Sequence, residues 1–248
     1  MKPGLNRARL FFFVDPLHTH IAERLGEVRR RLARAAVGAG RQPGDVRLLA
    51  VSKTFSLEHV RAAAAAGQAD FGENRVQEAL QKIDQTADLK IRWHLIGTLQ
   101  SNKVRKAAST FSAIHSVDSV KLLEQIDTAA ADSSCQPELL VQVDLAGEAT
   151  KHGIPPDGAK EIVRAGSRCR AARVVGLMTI PPYFDDPEQA RPYFARLRDL
   201  RDSLLNEGLE PGLVRELSMG MSHDFDIAVQ EGATIVRLGT AIFGTRHV

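Results

Sequence analysis

From residue 46 to residue 238 the chain alternates short apolar runs with helical stretches, and nothing interrupts the pattern. Strand-like runs fall at residues 46–51, 69–71, 91–96, 111–115, 138–143, 173–178, 214–217 and 234–238. Helical stretches fall between them at residues 57–66, 75–83, 99–108, 119–131, 156–165, 187–205 and 222–230. Eight strands separated by seven helices predict an α/β fold of the (β/α)8 TIM-barrel type. The 248-residue length suits that barrel, whose usual size is ~250 residues. A doubly wound open sheet is the competing architecture, but it does not usually need eight units, and no Gly-x-Gly-x-x-Gly follows the first strand.

An extra helix precedes the barrel. Residues 21–37 form a basic, alanine-rich amphipathic stretch, stopped by Gly38, Gly40 and Pro43. Residues 1–16 read as a loose extension and residues 17–248 as one domain. The densest basic cluster, Arg29, Arg30, Arg31 and Arg34, lies on that helix, where a solvated face accounts for it.

Net charge is only +3 and aromatics make up 5%, so a nucleic-acid partner gains no support. No apolar run is long enough to span a bilayer. Residues 10–14 are too short for the apolar core of a signal peptide. Two cysteines, Cys135 and Cys169, have no metal-ligand spacing and form no disulfide framework, which fits a reducing cytoplasm.

A barrel puts its chemistry at the C-terminal ends of the strands, and phosphate sites often use the loops after strands seven and eight. Those loops read "SMGMSHDF" and "RLGTAIFG". Ser218, Gly220, Gly239 and Gly244 therefore stand where backbone amides can approach a phosphate, although glycines there also simply make tight turns. Ser222, with Asp224 in the first turn, reads as the N-cap of the next helix.

Lys53 ends the first strand in "LLAVSKTF". On that stretch alone it is an ordinary lysine leaving a buried strand for water. Barrel closure places it beside the loops of strands seven and eight. If Leu49 and Val51 point inward, period-two alternation turns Lys53 inward too, and Arg237 shares a face with Ile235. Two chemistries fit: a cation pairing with phosphate, or an amine forming a Schiff base with a carbonyl on a phosphorylated ligand. The second needs a neutral amine, which burial and the charge of Arg237 would favour.

Eight motifs occur in order along the chain, "LLAVSKT", "DFGENRVQEA", "WHLIGTLQSNKV", "IHSVDS", "GEATKHG", "GLMTIPP", "ELSMGMSHDF" and "GATIVRLGTAIFG", in a resemblance that runs from roughly residue 21 to residue 246. Together they resemble the pyridoxal phosphate homeostasis proteins (YggS/PROSC type). The resemblance implies the barrel of the alanine racemase N-terminal domain and pyridoxal 5′-phosphate (PLP) as cofactor. It implies an internal aldimine on Lys53, phosphate contacts from Ser218, Met219, Gly239 and Thr240, and Arg237 facing the pyridine nitrogen. It further implies intracellular PLP buffering and delivery without established turnover. Partners would be PLP and, transiently, PLP-dependent apoenzymes, with a monomeric chain, no nucleic acid and no membrane. Thr98 and residues 144–146 vary where the family itself varies, and "FFFVDP" has no counterpart.

Arg237 argues physically against turnover. PLP enzymes needing a strong electron sink pair the ring nitrogen with a carboxylate, whereas a guanidinium only donates. Racemases of similar fold add a tyrosine base from a second domain, for which this chain leaves no room after the barrel. Tyr183 and Tyr193 follow strand six and read as rim or packing residues. No catalytic residue and no metal site is expected. A racemase-like PLP enzyme is the alternative function, and a Schiff-base aldolase is a third, for which strand one is a poor place for the lysine.

Asn74 either meets the ring hydroxyl or caps the helix after it. His94 and His115 read as structural histidines, and His18 and His20 as solvated. Lys151 is a candidate for transient ligand contact.

Overall fold

The computed structural model describes residues 15–147 and 152–245. The expected extension, apart from its last two residues, and Lys151 lie outside the described residues. Eight parallel strands close into a barrel in sequence order: β1 (Arg47–Val51), β2 (Asp70–Glu73), β3 (Arg92–Leu95), β4 (Ala113–Val117), β5 (Glu138–Gln142), β6 (Arg173–Met178), β7 (Glu216–Ser218) and β8 (Ile235–Leu238). β8 pairs with β1 in register, Leu49 opposite Arg237, which closes the barrel.

Helices cover the outside: α1 (Pro16–Gly38), α2 (Leu57–Ala65), α3 (Val76–Asp84), α4 (Val104–Ala108), α5 (Val120–Asp132), α6 (Pro156–Gly166), α7 (Arg191–Asn206), α8 (Phe225–Gln230) and the single turn α9 (Thr240–Phe243). The helical stretches expected at 99–108 and 187–205 each begin with a 3-10 turn, Ser101–Lys103 and Pro187–Ala190, before becoming α-helical.

Strand alternation sorts the apolar residues into two layers. Leu49, Leu140, Val175, Met178 and Ile235 fill the barrel interior, while neighbours such as Phe71, Ile114, Leu177, Leu217 and Val236 face the helices. β2 runs two residues past its expected end at Phe71, through the charged Glu73. Glu73 is fully buried between β2 and α3, because Lys82 of α3 reaches in to pair with it at 2.7 Å. A charge that ends a strand in water here continues it under a helix.

α1 begins at Pro16, earlier than the apolar pattern indicates. Asp15 caps it by accepting from the Leu17 amide at 2.9 Å, and Pro16 occupies the first turn. Its buried stripe, Ile21, Leu25, Val28, Leu32 and Ala36, keeps the three-to-four spacing of one helix face. In the basic cluster Arg29, Arg30 and Arg34 are exposed, as a solvated face requires, and Arg31 is half-buried. Arg31 pairs with Asp226 and lies 4.5 Å over the Phe225 ring, and Arg29 donates to the Ala66 carbonyl at 2.9 Å. These arginines pin α1 to the barrel's α2 and α8, and the bulk of α1 contributes packing as well as charge.

Candidate active site at the barrel mouth

Lys53 lies just beyond β1, half-buried, in a tight turn. The Phe55 amide donates to the Ser52 carbonyl at 3.1 Å, so Lys53 and Thr54 are the two central residues. Thr54 has φ +69°, a conformation that glycine normally supplies and that costs a β-branched residue about 1–3 kcal/mol. Neighbours impose it. Lys82 Nζ donates to the Ser52 carbonyl at 2.8 Å, and Glu78 Oε1 accepts from the Thr54 amide at 2.8 Å. Ser52 Oγ donates to Glu73 Oε1 at 2.8 Å. Burial raises the pKa of Glu73 against the opposing hydrogen bonds from Lys82 and Ser52. Its second oxygen, Oε2, is buried without a hydrogen-bond partner.

Arg237 points into the barrel with Ile235, as alternation requires, while Val236 and Leu238 face the helices. Its Nη1 donates to Ser218 Oγ at 2.7 Å and its Nη2 to the Thr179 carbonyl at 2.9 Å. Among the described residues no carboxylate pairs with it. Burial lowers its pKa to about 10, with the Asp224 carboxylate opposing, so it remains cationic at neutral pH. Ser218 Oγ also lies 3.0 Å from His115 Nδ1, so this hydroxyl supports the guanidinium from below.

A third cluster forms where β7 and β8 end. Ser222 Oγ accepts from the amides of Gly239 and Ala241, each at 3.3 Å. Ser222 is thus not the cap of α8; the helix begins at Phe225, and Asp224 accepts from the Met221 amide at 2.6 Å. Gly220 shapes the turn. Its φ is +91°, and a Cβ there would stand 2.6 Å from the Ala228 Cβ. Gly220→Ala should therefore lower stability by about 2–4 kcal/mol, from strained backbone plus overpacking. Urea unfolding measures it, and a loss below about 1 kcal/mol would show that the turn relaxes.

Opposite these groups a cavity of about 560 Å³ opens at the ends of β2, β3, β5 and β6, within the range of small-molecule sites. Asn74, Ile96, Thr98, Gln142, His152 and Ile180 line it. Asn74 makes no side-chain cap on α3, whose N-cap is Arg75. Gly97 lets the two loops meet, since a Cβ there would stand 2.2 Å from the Asn74 carbonyl.

Below the mouth, His115 is fully buried. Burial first, then its neighbours His94, Arg237 and Arg47, hold its pKa well below 6.5. The unfolded chain therefore takes up a proton as pH falls through 6.5 while this imidazole stays neutral. Stability should drop on acidification by about 1.4 kcal/mol per pH unit from this group, and His115→Gln should flatten that slope. Urea midpoints between pH 7 and pH 5 decide it; parallel curves for the two proteins would contradict it.

The alanine racemase N-terminal domain family matches residues 24–247. The pyridoxal phosphate homeostasis protein of Aquifex aeolicus is 44% identical over 224 residues, covering 90% of this chain and 97% of its own. This chain belongs to the pyridoxal phosphate homeostasis proteins. The same-named protein of Pseudomonas aeruginosa is also 44% identical, over 91% of this chain and 96% of its own. PipY of Synechococcus elongatus, solved with PLP bound, superposes with a TM-score of 0.80 at 40% identity, covering 90% of this chain and 100% of its own.

Against that family frame, the residues expected at the site divide. Lys53, Arg237, Gly239, Thr240 and Asn74 all stand at or just beyond the C-terminal ends of strands. Ser218 stands there too, but its hydroxyl is committed to Arg237 and His115. Met219 follows β7 directly; its side chain packs in the outer core, and its amide donates to the Ile235 carbonyl at 3.0 Å. Ser222, Glu73 and Lys82, which the sequence did not mark for the site, also meet groups at the barrel mouth. Ser222 carried a signal, because it shares the "SMGMS" turn; Lys82 carried none beyond an amphipathic helix position. Tyr183 is 75% exposed and stacks on His223, and Tyr193 packs against Phe184. Among the described residues no group of His, Cys, Asp or Glu could hold a metal ion, and no helix is long and apolar enough to cross a membrane.

Proposed function

We propose that this chain binds PLP at the mouth of the barrel and holds it for release. Lys53 supplies the amine that engages the cofactor's aldehyde, and Arg237 donates to the ring nitrogen. Gly239 and Thr240 take the phosphate together with Ser222, whose hydroxyl already gathers the amides of Gly239 and Ala241. Asn74 faces the ring hydroxyl from β2.

The observation that carries this reading is Arg237. A buried guanidinium only donates, and among the described residues no carboxylate pairs with this one, which suits a ring nitrogen that accepts. Bound PLP supplies an aldehyde that condenses with amines and a ring that withdraws electrons. A donor-only partner leaves that ring nitrogen unprotonated and the electron sink weak, so this site favours holding over turnover. The relatives' name and the PLP-bound PipY structure support the same reading.

In this reading the chain acts as a monomer in the cytoplasm and hands PLP to dependent apoenzymes. The test is to load the protein with PLP and offer it D- and L-amino acids and, separately, an apoenzyme. Activation of the apoenzyme with no sustained racemisation is expected. Sustained racemisation that disappears in Lys53→Ala would make the chain an enzyme instead.

A further inference from the structure

The barrel interior holds a polar chain that the ligand site alone does not require. Asp70 Oδ1 lies 3.1 Å from His94 Nε2, and His94 Nδ1 lies 3.0 Å from His115 Nε2. His115 Nδ1 lies 3.0 Å from Ser218 Oγ, which accepts from Arg237 Nη1 at 2.7 Å. Arg92 closes the far end by donating to Asp70 Oδ2 at 2.7 Å. Asp70, His94, His115, Ser218 and Arg237 are all buried.

The two ends determine every proton between them. Arginine only donates and a carboxylate only accepts, while a neutral imidazole has one donor and one acceptor. With both imidazoles neutral, the Arg237 N–H goes to Ser218, and the Ser218 O–H goes to His115 Nδ1. The His115 Nε2–H then goes to His94 Nδ1, and the His94 Nε2–H to Asp70. All donors point the same way, from a buried cation at the mouth to a buried anion at the opposite rim. Burial raises the pKa of Asp70, but its bonds from His94 and Arg92 outweigh this and keep it lowered, so the anion is held ready. Such a chain polarises along its length, and each bond strengthens the next.

We propose that Asp70, His94 and His115 are positioning residues that act through Ser218 to orient Arg237 toward the ring nitrogen of bound PLP. The proposal rests on the reading of Arg237 above and goes beyond it. The carboxylate that PLP enzymes place against the ring nitrogen is here removed to the far end of a relay. Paired with Arg92, that carboxylate fixes the donor direction of the relay without protonating the ring.

Two arms test it. In the ligand-free protein, 15N NMR of the imidazoles at pH 7 should show His94 and His115 both neutral and both protonated on Nε2. An imidazolium, or an Nδ1–H tautomer of His115, overturns the relay. In the second arm PLP affinity and the pH profile of bound-cofactor absorbance are compared for two variants. His115→Phe, which breaks the chain, should weaken PLP binding about 10-fold and shift the absorbance profile. His115→Gln keeps one donor and one acceptor and should restore both to within about 3-fold. A Phe variant that is folded and unchanged in both readouts, or a Gln variant as impaired as Phe, overturns the positioning role. A wild-type protein that takes up no PLP overturns the reading of the site and with it the ligand side of this proposal. The NMR arm tells that failure apart from failure of the relay.

Discussion

After incubation with PLP and reduction with borohydride, the wild-type chain carries a pyridoxyl mass on the peptide containing Lys53, and the Lys53→Ala chain carries it nowhere. The expectation follows from where the turn puts this residue. β1 ends at Val51, and Ser52, Lys53 and Thr54 turn at the mouth. Three bonds shape that turn: Phe55 amide to Ser52 carbonyl, Lys82 to Ser52 carbonyl, and Thr54 amide to Glu78. These three bonds run through other groups, so they remain available in Lys53→Ala, and circular dichroism with urea unfolding checks that the variant is folded. Loss of the adduct in a folded Lys53→Ala protein then reports chemistry and not collapse. A wild-type adduct on some other lysine, with Lys53 unmodified, would sink the assignment.

Lys82→Met should cost about 3–5 kcal/mol at pH 8, the largest stability loss expected here. Lys82 Nζ is buried and donates to Glu73 at 2.7 Å, to Glu78 at 3.1 Å and to the Ser52 carbonyl at 2.8 Å. Without it Glu73 is a carboxylate in the layer between β2 and α3 with only the Ser52 hydroxyl left, and its Oε2 already lacks a partner. The sign with pH follows. Glu73 already titrates above 4.5, through burial. Removing the cation raises it further, so the folded variant binds a proton that the unfolded chain has lost. Its stability then falls as pH rises through that interval. The deficit at pH 8 should therefore shrink by pH 5, and Glu73→Gln combined with Lys82→Met should recover most of it. Urea denaturation at both pH values measures this. A deficit below about 1 kcal/mol at pH 8 would put the pair with ordinary surface ion pairs. The same variant should loosen Lys53, because Lys82 and Glu78 hold Thr54 in its unfavourable φ.

The eight-unit alternation was legible because it is local: period two for strands and three-to-four for helices need only neighbouring residues. Parity carried the inward direction of Arg237 for the same reason. Lys53 was reached by adding one topological fact, that strand one meets strand eight. Strand β2 continues past the expected end at Phe71 through Gly72 and Glu73, and the burial of Glu73 depends on Lys82 in the next helix. Ser222 was read as a helix cap because serine beside a helix start usually caps it; its hydroxyl instead meets amides from β8's end.

The sequence by itself determined the barrel, its strand order and the inward face of each strand, since these follow from local periodicity and one rule of closure. Only the tertiary structure decided which polar side chains meet. The relay from Asp70 to Arg237 joins residues 24, 21, 103 and 19 positions apart. Taken singly, His94 and His115 were ordinary buried histidines; closure of eight strands put their ring nitrogens within hydrogen-bond reach. Hydrogen-bond partnership depends on distance and angle in space, and no pattern along the chain encodes that across a barrel.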